Sequence, residues 1–402
     1  MASTQNPHTR LIIILAMLTA FGPLATDMYL PAFGQLSQYF STSSSRIEST
    51  LSAFFLGLAL GQALYGPFID RFGRRIPLLF GIVLFCLATL GAILTRDIDT
   101  FIGMRLLQAL GGCAGMVIAR AIINDLFSQQ ESARALSLMM IMMMVAPIAA
   151  PVLGSVILVV AGWHAIFGLV LMFALCVGWL VWRYVPETLA PEKKQPLNLR
   201  SVLGVYAKLC GQRAFILPAV VGGIALACMF SFITGSPFVF MSLFGVSEHQ
   251  YGWLFGLNSA GFILAAQLNG RLLRRRTPLQ LLRTTTVLFM CGTLMLSLVA
   301  SLQTASLWPL MVPLFFCMAL LALVVPNSSA CALAGQGHQA GVASALMGTL
   351  QFTIAGVVSA LVGALHDGTA LPMAMMISVC GVGSAAMAWM ARRVEERGAS
   401  SS

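Results

Sequence analysis

Twelve apolar stretches, each close to the ~20 residues a helix needs to cross a hydrocarbon core, dominate this sequence. They begin near Leu11, Leu51, Ile76, Phe101, Ala135, Ile166, Ala214, Tyr251, Leu279, Trp308, Val342 and Leu371. Backbone inside lipid must satisfy its own N–H and C=O groups, which leaves helices or closed barrels. Alternating ten-residue strands are absent, so the expected fold is all-α. Only 9% of residues are charged and 58% are hydrophobic, against about 25% charged in a soluble domain. Little of the chain is therefore expected outside a bilayer. The first stretch is too long for a cleaved leader and no A-x-A type site follows it, so it is read as the first span.

The net charge of +10 does not point to nucleic acid, because the cations are sorted by loop. Most fall on one side of a twelve-span arrangement, among them Arg10, Arg71, Arg74, Arg75, Arg134, Lys193, Lys194, Arg274 to Arg276, Arg392, Arg393 and Arg397. Arg46 and Arg96 lie in loops on the other side. The positive-inside rule places both termini in the cytoplasm. The nine cysteines are scattered singly, which supports neither disulfides nor a zinc site. The five histidines read as solvated loop or tail residues.

Residues 185–213, rich in proline and charge, read as a cytoplasmic linker between six-helix halves at 1–184 and 214–391, with a tail at 392–402. The halves echo each other weakly at an offset of about 205 residues, as parallel transporter repeats do. Pro31 is expected to close the first span as Pro237 closes the seventh, and Gly66 matches Gly270. A substrate site is then expected between the halves, near the midplane.

Asp27 stands inside the otherwise uncharged run from Leu11 to Phe33. An acid at membrane depth costs roughly 2.5–3.5 kcal/mol, and its usual tasks are proton relay and ligand binding. The other acids are assigned to loops, helix ends or the tail. Arg105 in span four lies at a similar depth, about 6 Å from the same edge of the core. The two are expected to pair, directly or through water, in at least one conformation. The competing reading is that Arg105 snorkels to the interface.

Several motifs narrow this picture. The loop after span two reads Gly66-Pro-Phe-Ile-Asp70-Arg71-Phe-Gly73-Arg74-Arg75. It resembles the G-x-x-x-D-R-x-G-R-R signature of the major facilitator superfamily, where this loop latches the two halves on the cytoplasmic side. Asp125 matches a second acid of that latch. In the second half, Arg274 replaces the acid, so a one-sided latch is expected. Arg105-Leu-Leu-Gln108-Ala-Leu-Gly111-Gly112 resembles the family's R-x-x-Q-x-x-G-G segment. Pro147, Pro151 and Gly154 share a helical face bare enough for close helix approach. Their segment resembles the motif of proton-driven antiporters, with Ser155 in place of the final glycine. Leu24-Ala-Thr26-Asp27-Met-Tyr29-Leu-Pro31, Gly162-Trp163-His164 and Pro186-Glu187-Thr188-Leu189 complete a likeness to the bicyclomycin and chloramphenicol/florfenicol resistance group of drug:proton antiporters.

That resemblance implies twelve transmembrane helices in two pseudo-symmetric halves and export of drug-like compounds against protons, by a monomer in a bacterial inner membrane. Its partners are a small-molecule drug, protons and lipid. The proton is the coupling ion, and no other cofactor or metal is implied. Asp27 would carry the proton and Arg105 tune it. Tyr29, Gln108, Pro147 and Asn258 would line the substrate cavity. Gly66, Asp70, Arg71, Gly73, Arg74 and Asp125 would form the latch. Thr19 stands where some multidrug relatives carry a second acid, which argues against dications. Gln62, Gln267 and Gln351 are either cavity groups or interhelical hydrogen-bond formers. The methionines from Met139 to Met144 are either an adaptable surface or apolar filler. An uptake symporter is the alternative. A polytopic membrane enzyme would need a His/Asp/Glu constellation, and none is visible.

Overall fold

The computed structural model describes residues 7–127, 129–190, 192, 199–336 and 340–399. Its helices are α1 (Pro7–Thr19), α2 (Phe21–Asp27), α3 (Phe33–Tyr39), α4 (Ser44–Phe72), α5 (Arg75–Leu94), α6 (Ile98–Leu126) and α7 (Gln129–Tyr184). They continue as α8 (Leu199–Gly211), α9 (Arg213–Pro237), α10 (Glu248–Leu272), α11 (Pro278–Ser301), α12 (Trp308–Leu333), α13 (Ala340–Ala364) and α14 (Leu371–Ala399).

Ten stretches are long and apolar enough to cross a membrane. One of them contains two spans, because α7 turns at Gly162, whose φ of 74° is left-handed and suits glycine. The remaining span is α10, made less apolar by polar residues such as Asn258, Gln267 and Asn269. Twelve spans result, six on each side of the linker.

Most of the helices begin earlier than the apolar runs do. Ser43 accepts a hydrogen bond from the backbone N–H of Arg46 and caps α4, which starts at Ser44, well before Leu51. Span one is broken. A 3-10 turn at Leu30–Ala32 separates α2 from α3, and the apolar stretch runs on to Tyr39. Pro31 therefore kinks the span and does not close it. Pro237 acts likewise: α9 passes into a π turn at Phe238–Leu243 within one apolar stretch. The expected linker contains a further helix, α8, whose Leu209 is buried with Phe215 of α9 and Met347 of α13. The expected tail is the end of α14.

The loop between α4 and α5 meets the linker at Glu187, which defines a linker end and a far end of the bundle. The halves pack along α4 with α13 and along the first arm of α7 with α10. At the far end, Ser45 Oγ donates to the Gly363 carbonyl (2.6 Å), and the Ser52 and Ser359 hydroxyls lie 3.0 Å apart.

Candidate functional site

Asp27 is the last residue of α2 and is buried. The Thr26 hydroxyl donates to its Oδ1 at 2.9 Å and lies 3.0 Å from the Gly22 carbonyl. One hydroxyl hydrogen serves one acceptor at a time. With Asp27 ionised, Thr26 donates to it. With Asp27 protonated, the acid can donate to Thr26, which then turns its hydrogen to Gly22. Both protonation states are thus accommodated without moving a heavy atom.

Arg105 is fully buried, which removes the snorkelling alternative. It does not pair with Asp27 here. Its Nη2 donates to the Ala25 carbonyl at 2.8 Å and its Nη1 to Gln108 Oε1. Its guanidinium lies 4.3 Å from the Tyr29 ring centroid and 4.5 Å from that of Phe54. The kink after Asp27 brings the Tyr29 face and the Ala25 carbonyl to Arg105 in place of the carboxylate. This cation–π and carbonyl cage is worth most when dry.

Tyr29 and Gln108 are both buried and serve this cage. The Tyr29 hydroxyl pairs with Thr50 Oγ1 at 2.8 Å, and Gln108 Nε2 donates to Thr89 Oγ1 at 2.8 Å. The gap beside them, bounded by Leu24, Ile166 and Phe167 among others, is too narrow to admit a water molecule, so no drug-sized pocket is open there. Asn258 is buried in α10. Its Nδ2 donates to the Leu254 carbonyl at 3.0 Å, and its Oδ1 has no partner among the described residues, which leaves an acceptor for a ligand.

The Pro147–Gly154 face packs as its bareness suggests, and the contacts are specific. A Cβ on Gly154 would overlap the Met28 carbonyl, next in chain to Asp27. Gly252 of α10 meets Pro151 O and Ser155 Oγ, each 3.0 Å from where its Cβ would stand. Ile148, beside the half-buried Pro147, faces Gly256. The motif therefore wedges span five between the Asp27 kink and the second half.

At the linker end, Arg74 Nε donates to Asp125 Oδ2 (2.9 Å) and Nη1 to Asp70 Oδ1 (3.0 Å) and the Ile69 carbonyl (2.7 Å). Glu187, which sequence alone left without a role, completes the clasp. Its carboxylate accepts from the backbone N–H of Arg74 (2.8 Å), Arg75 (3.2 Å), Thr188 (3.0 Å) and Leu189 (3.0 Å). It occupies the positive N-terminus of α5, where orphan N–H groups favour an anion. Gly73, at φ 89°, leaves room that a Cβ would take from Glu187. Partial burial pushes the Glu187 carboxyl up, but these backbone hydrogen bonds more than offset it and hold it below the ordinary value. Gly66 has open space around it, and Arg71 is exposed. Among the described residues, the clasp joins the first half to the linker.

Glu48, expected in a loop or at a helix end, lies in the second turn of α4 and is buried, with Oε1 3.8 Å from His366 Nδ1. His366 is half-buried and edge-on to Phe238, so it is not a freely solvated histidine. The signal for Glu48 was the serine run before Arg46, a helix start ahead of the apolar stretch. No metal-holding cluster of His, Cys, Asp or Glu occurs among the described residues.

Two six-span halves, with buried charges beside their interface, form the architecture of an alternating-access carrier. The Major Facilitator Superfamily sequence profile matches residues 15–360, and the chain belongs to that family. It is 35% identical to an uncharacterized MFS-type transporter, YdgK, of Bacillus subtilis (strain 168), over 95% of this chain and 96% of that protein. It is 28% identical to a bicyclomycin resistance protein homolog of Haemophilus influenzae, over 92% and 93% of the two chains. Its fold is similar to a crystal structure of a D-xylose-proton symporter, with TM-score 0.75, 16% identity, and 96% and 98% of the chains covered.

Proposed function

We propose that the protein exports small, largely apolar, neutral or weakly charged compounds of the phenicol or bicyclomycin type in exchange for entering protons. It would do so as a monomer in a bacterial inner membrane, with the linker end and both termini in the cytoplasm. The observation that carries this reading is Asp27. It is a buried carboxyl with a hydroxyl relay for partner, at a kink against which Gly154 of the antiporter motif is wedged. A buried charge without a counter-charge is costly, so gain or loss of a proton there shifts the balance between packed and open arrangements. The likeness to a bicyclomycin resistance protein homolog supports the substrate class.

Asp27 and Arg105 together carry no net charge, which suits neutral solutes and disfavours dications. A proton entering down about 150 mV releases about 3.5 kcal/mol. That is enough for roughly a 300-fold gradient of a neutral solute at 1.4 kcal/mol per tenfold. The test is a drug-susceptibility panel in an efflux-deficient bacterium, followed by proteoliposome flux under imposed pH and voltage steps. Protection against phenicols, with outward flux driven by both steps, is expected. Inward accumulation driven by protons would make the protein an uptake symporter, and preferred export of dications would overturn the charge argument.

A further inference from the structure

The far end of the bundle holds a buried acid that the transport reading leaves unused. Glu48 is 1% exposed on α4 of the first half. It faces α13 of the second half where a Cβ on Gly363 would lie 3.3 Å from its Oε2. That oxygen has no hydrogen-bond partner among the described residues. Its other oxygen lies 3.8 Å from His366 Nδ1, in the loop after α13.

The surroundings supply little other charge. On α4 itself, Arg46 is engaged by Asp99 of α6. Beyond α13, Asp367 is fixed by the Thr369 hydroxyl and backbone N–H; the Thr369 hydroxyl chiefly holds its carboxyl below the ordinary value, and the neighbouring His366 adds a smaller electrostatic contribution. α3 has no charged residue, and α9 continues into the Phe238 ring, which lies against His366. On either side of Glu48, Ser45 and Ser52 tie the same two helices across the interface. Glu48 thus lies on the surface along which the halves part when the far end opens.

We propose that Glu48 and His366 form a second proton-binding site, one that lets the far end close only when a proton is present. The reason is charge accounting. With no proton, closure buries a carboxylate that has one bare oxygen and a neutral imidazole beside it, and an unpaired buried charge is costly. A proton on Glu48 removes the charge. A proton on His366 makes it one member of an ion pair. When the far end opens, water solvates both groups and the proton leaves to that side. Closure therefore takes up a proton from the far-side solution, and acid on that side favours the closed state. The inference does not depend on the transported compound or on the role of Asp27.

The test uses the full chain in nanodiscs without substrate, in an Asp27→Asn background. Fluorophores are placed through non-natural amino acids at Arg96 and Ala305, exposed far-end positions in opposite halves. Energy transfer then reports the closed-to-open ratio against pH. The expected ratio rises up to about tenfold per unit of acidification over part of the range. Glu48→Gln should keep the far end closed and flatten the curve. His366→Asn, which keeps the acid, should retain the response. In that variant the response should extend to lower pH than in the parent. An unchanged slope in Glu48→Gln, or a curve that His366→Asn does not move, would overturn the proposal.

Discussion

At the kink of span one the first half places Asp27, held by Thr26 and flanked by the Arg105–Tyr29 cage. At the matching kink of span seven the second half places Ser236, hydrogen-bonded to Tyr251 at 2.9 Å. At the linker end the first half closes with the Arg74–Asp70–Asp125–Glu187 clasp. The second half joins α10 to α12 through a neutral contact, Asn327 Nδ2 to Asn269 Oδ1 at 2.7 Å. Among the described residues, the buried charged side chains are Asp27, Glu48, Arg74 and Arg105, all in the first half. The fold is repeated, and the ionisable chemistry is not. Charges respond to protons and salt, whereas amides and hydroxyls do not, so the first half should carry most of the coupling while the second, His366 apart, supplies a neutral wall to move against.

The comparison breaks most sharply at the kinks. Asp27→Asn should lower pH-gradient-driven proteoliposome flux by at least about 100-fold, the equivalent of about 2.8 kcal/mol. Ser236→Ala, at the kink of span seven, should leave flux within about fivefold, since a hydroxyl hydrogen bond contributes about 1 kcal/mol. Full coupled flux in Asp27→Asn would move the coupling site elsewhere.

A smaller contrast lies in the helix contacts. Gly154→Leu drives a side chain into the Met28 backbone and should slow turnover by about tenfold or more for every substrate alike. Gly252→Ala meets a looser contact at 3.0 Å and should cost about 1 kcal/mol of stability, at the low end for overpacking. A changed substrate ranking in Gly154→Leu with normal turnover would place that face in the binding site.

The linker end separates the halves by salt. Arg74→Ala should destabilise the protein by about 2–3 kcal/mol, below the fully buried limit because Asp70 and Asp125 remain partly hydrated. High salt should shrink that loss. Asn327→Leu should cost about 1–2 kcal/mol, and salt should not change it. Thermal unfolding in detergent at low and high ionic strength measures both.

The smallest effect is the acid response of the clasp. Glu187 is depressed below its ordinary 4.5. Its contribution is complete above that value and is lost as pH falls through 4.5 toward its folded value. Glu187→Gln should abolish that part of the acid-induced loss of thermal stability. An identical acid limb in the variant would show that Glu187 stabilises nothing through its charge.

Much of this was legible in the chain because lipid leaves few choices. Runs of ~20 apolar residues must be helices, and an acid among them is conspicuous. Pro147, Pro151 and Gly154 announced a close helix contact by spacing alone, though not that Met28 would be the partner. Glu48 escaped because hydropathy locates lipid and not helix ends: α4 begins at the Ser43 cap, ahead of its apolar run. Glu187 escaped because its partners are backbone N–H groups far away in sequence, exposed only once α5 and the linker meet.

By itself, then, the sequence determined the number of spans, their division into halves, the family signature loop and the lone acid of span one. Each is a local property, set by apolar length, by glycine and proline, or by the cost of a charge in lipid. The tertiary structure alone decided which charge meets which group. Span one kinks after Asp27, so Arg105 rests on Ala25 O and the Tyr29 ring and leaves Asp27 to Thr26. Depth along a helix fixes only one coordinate of a side chain. The kink and the rotation of the helix about its own axis fix the others, and both follow from packing between helices distant in sequence.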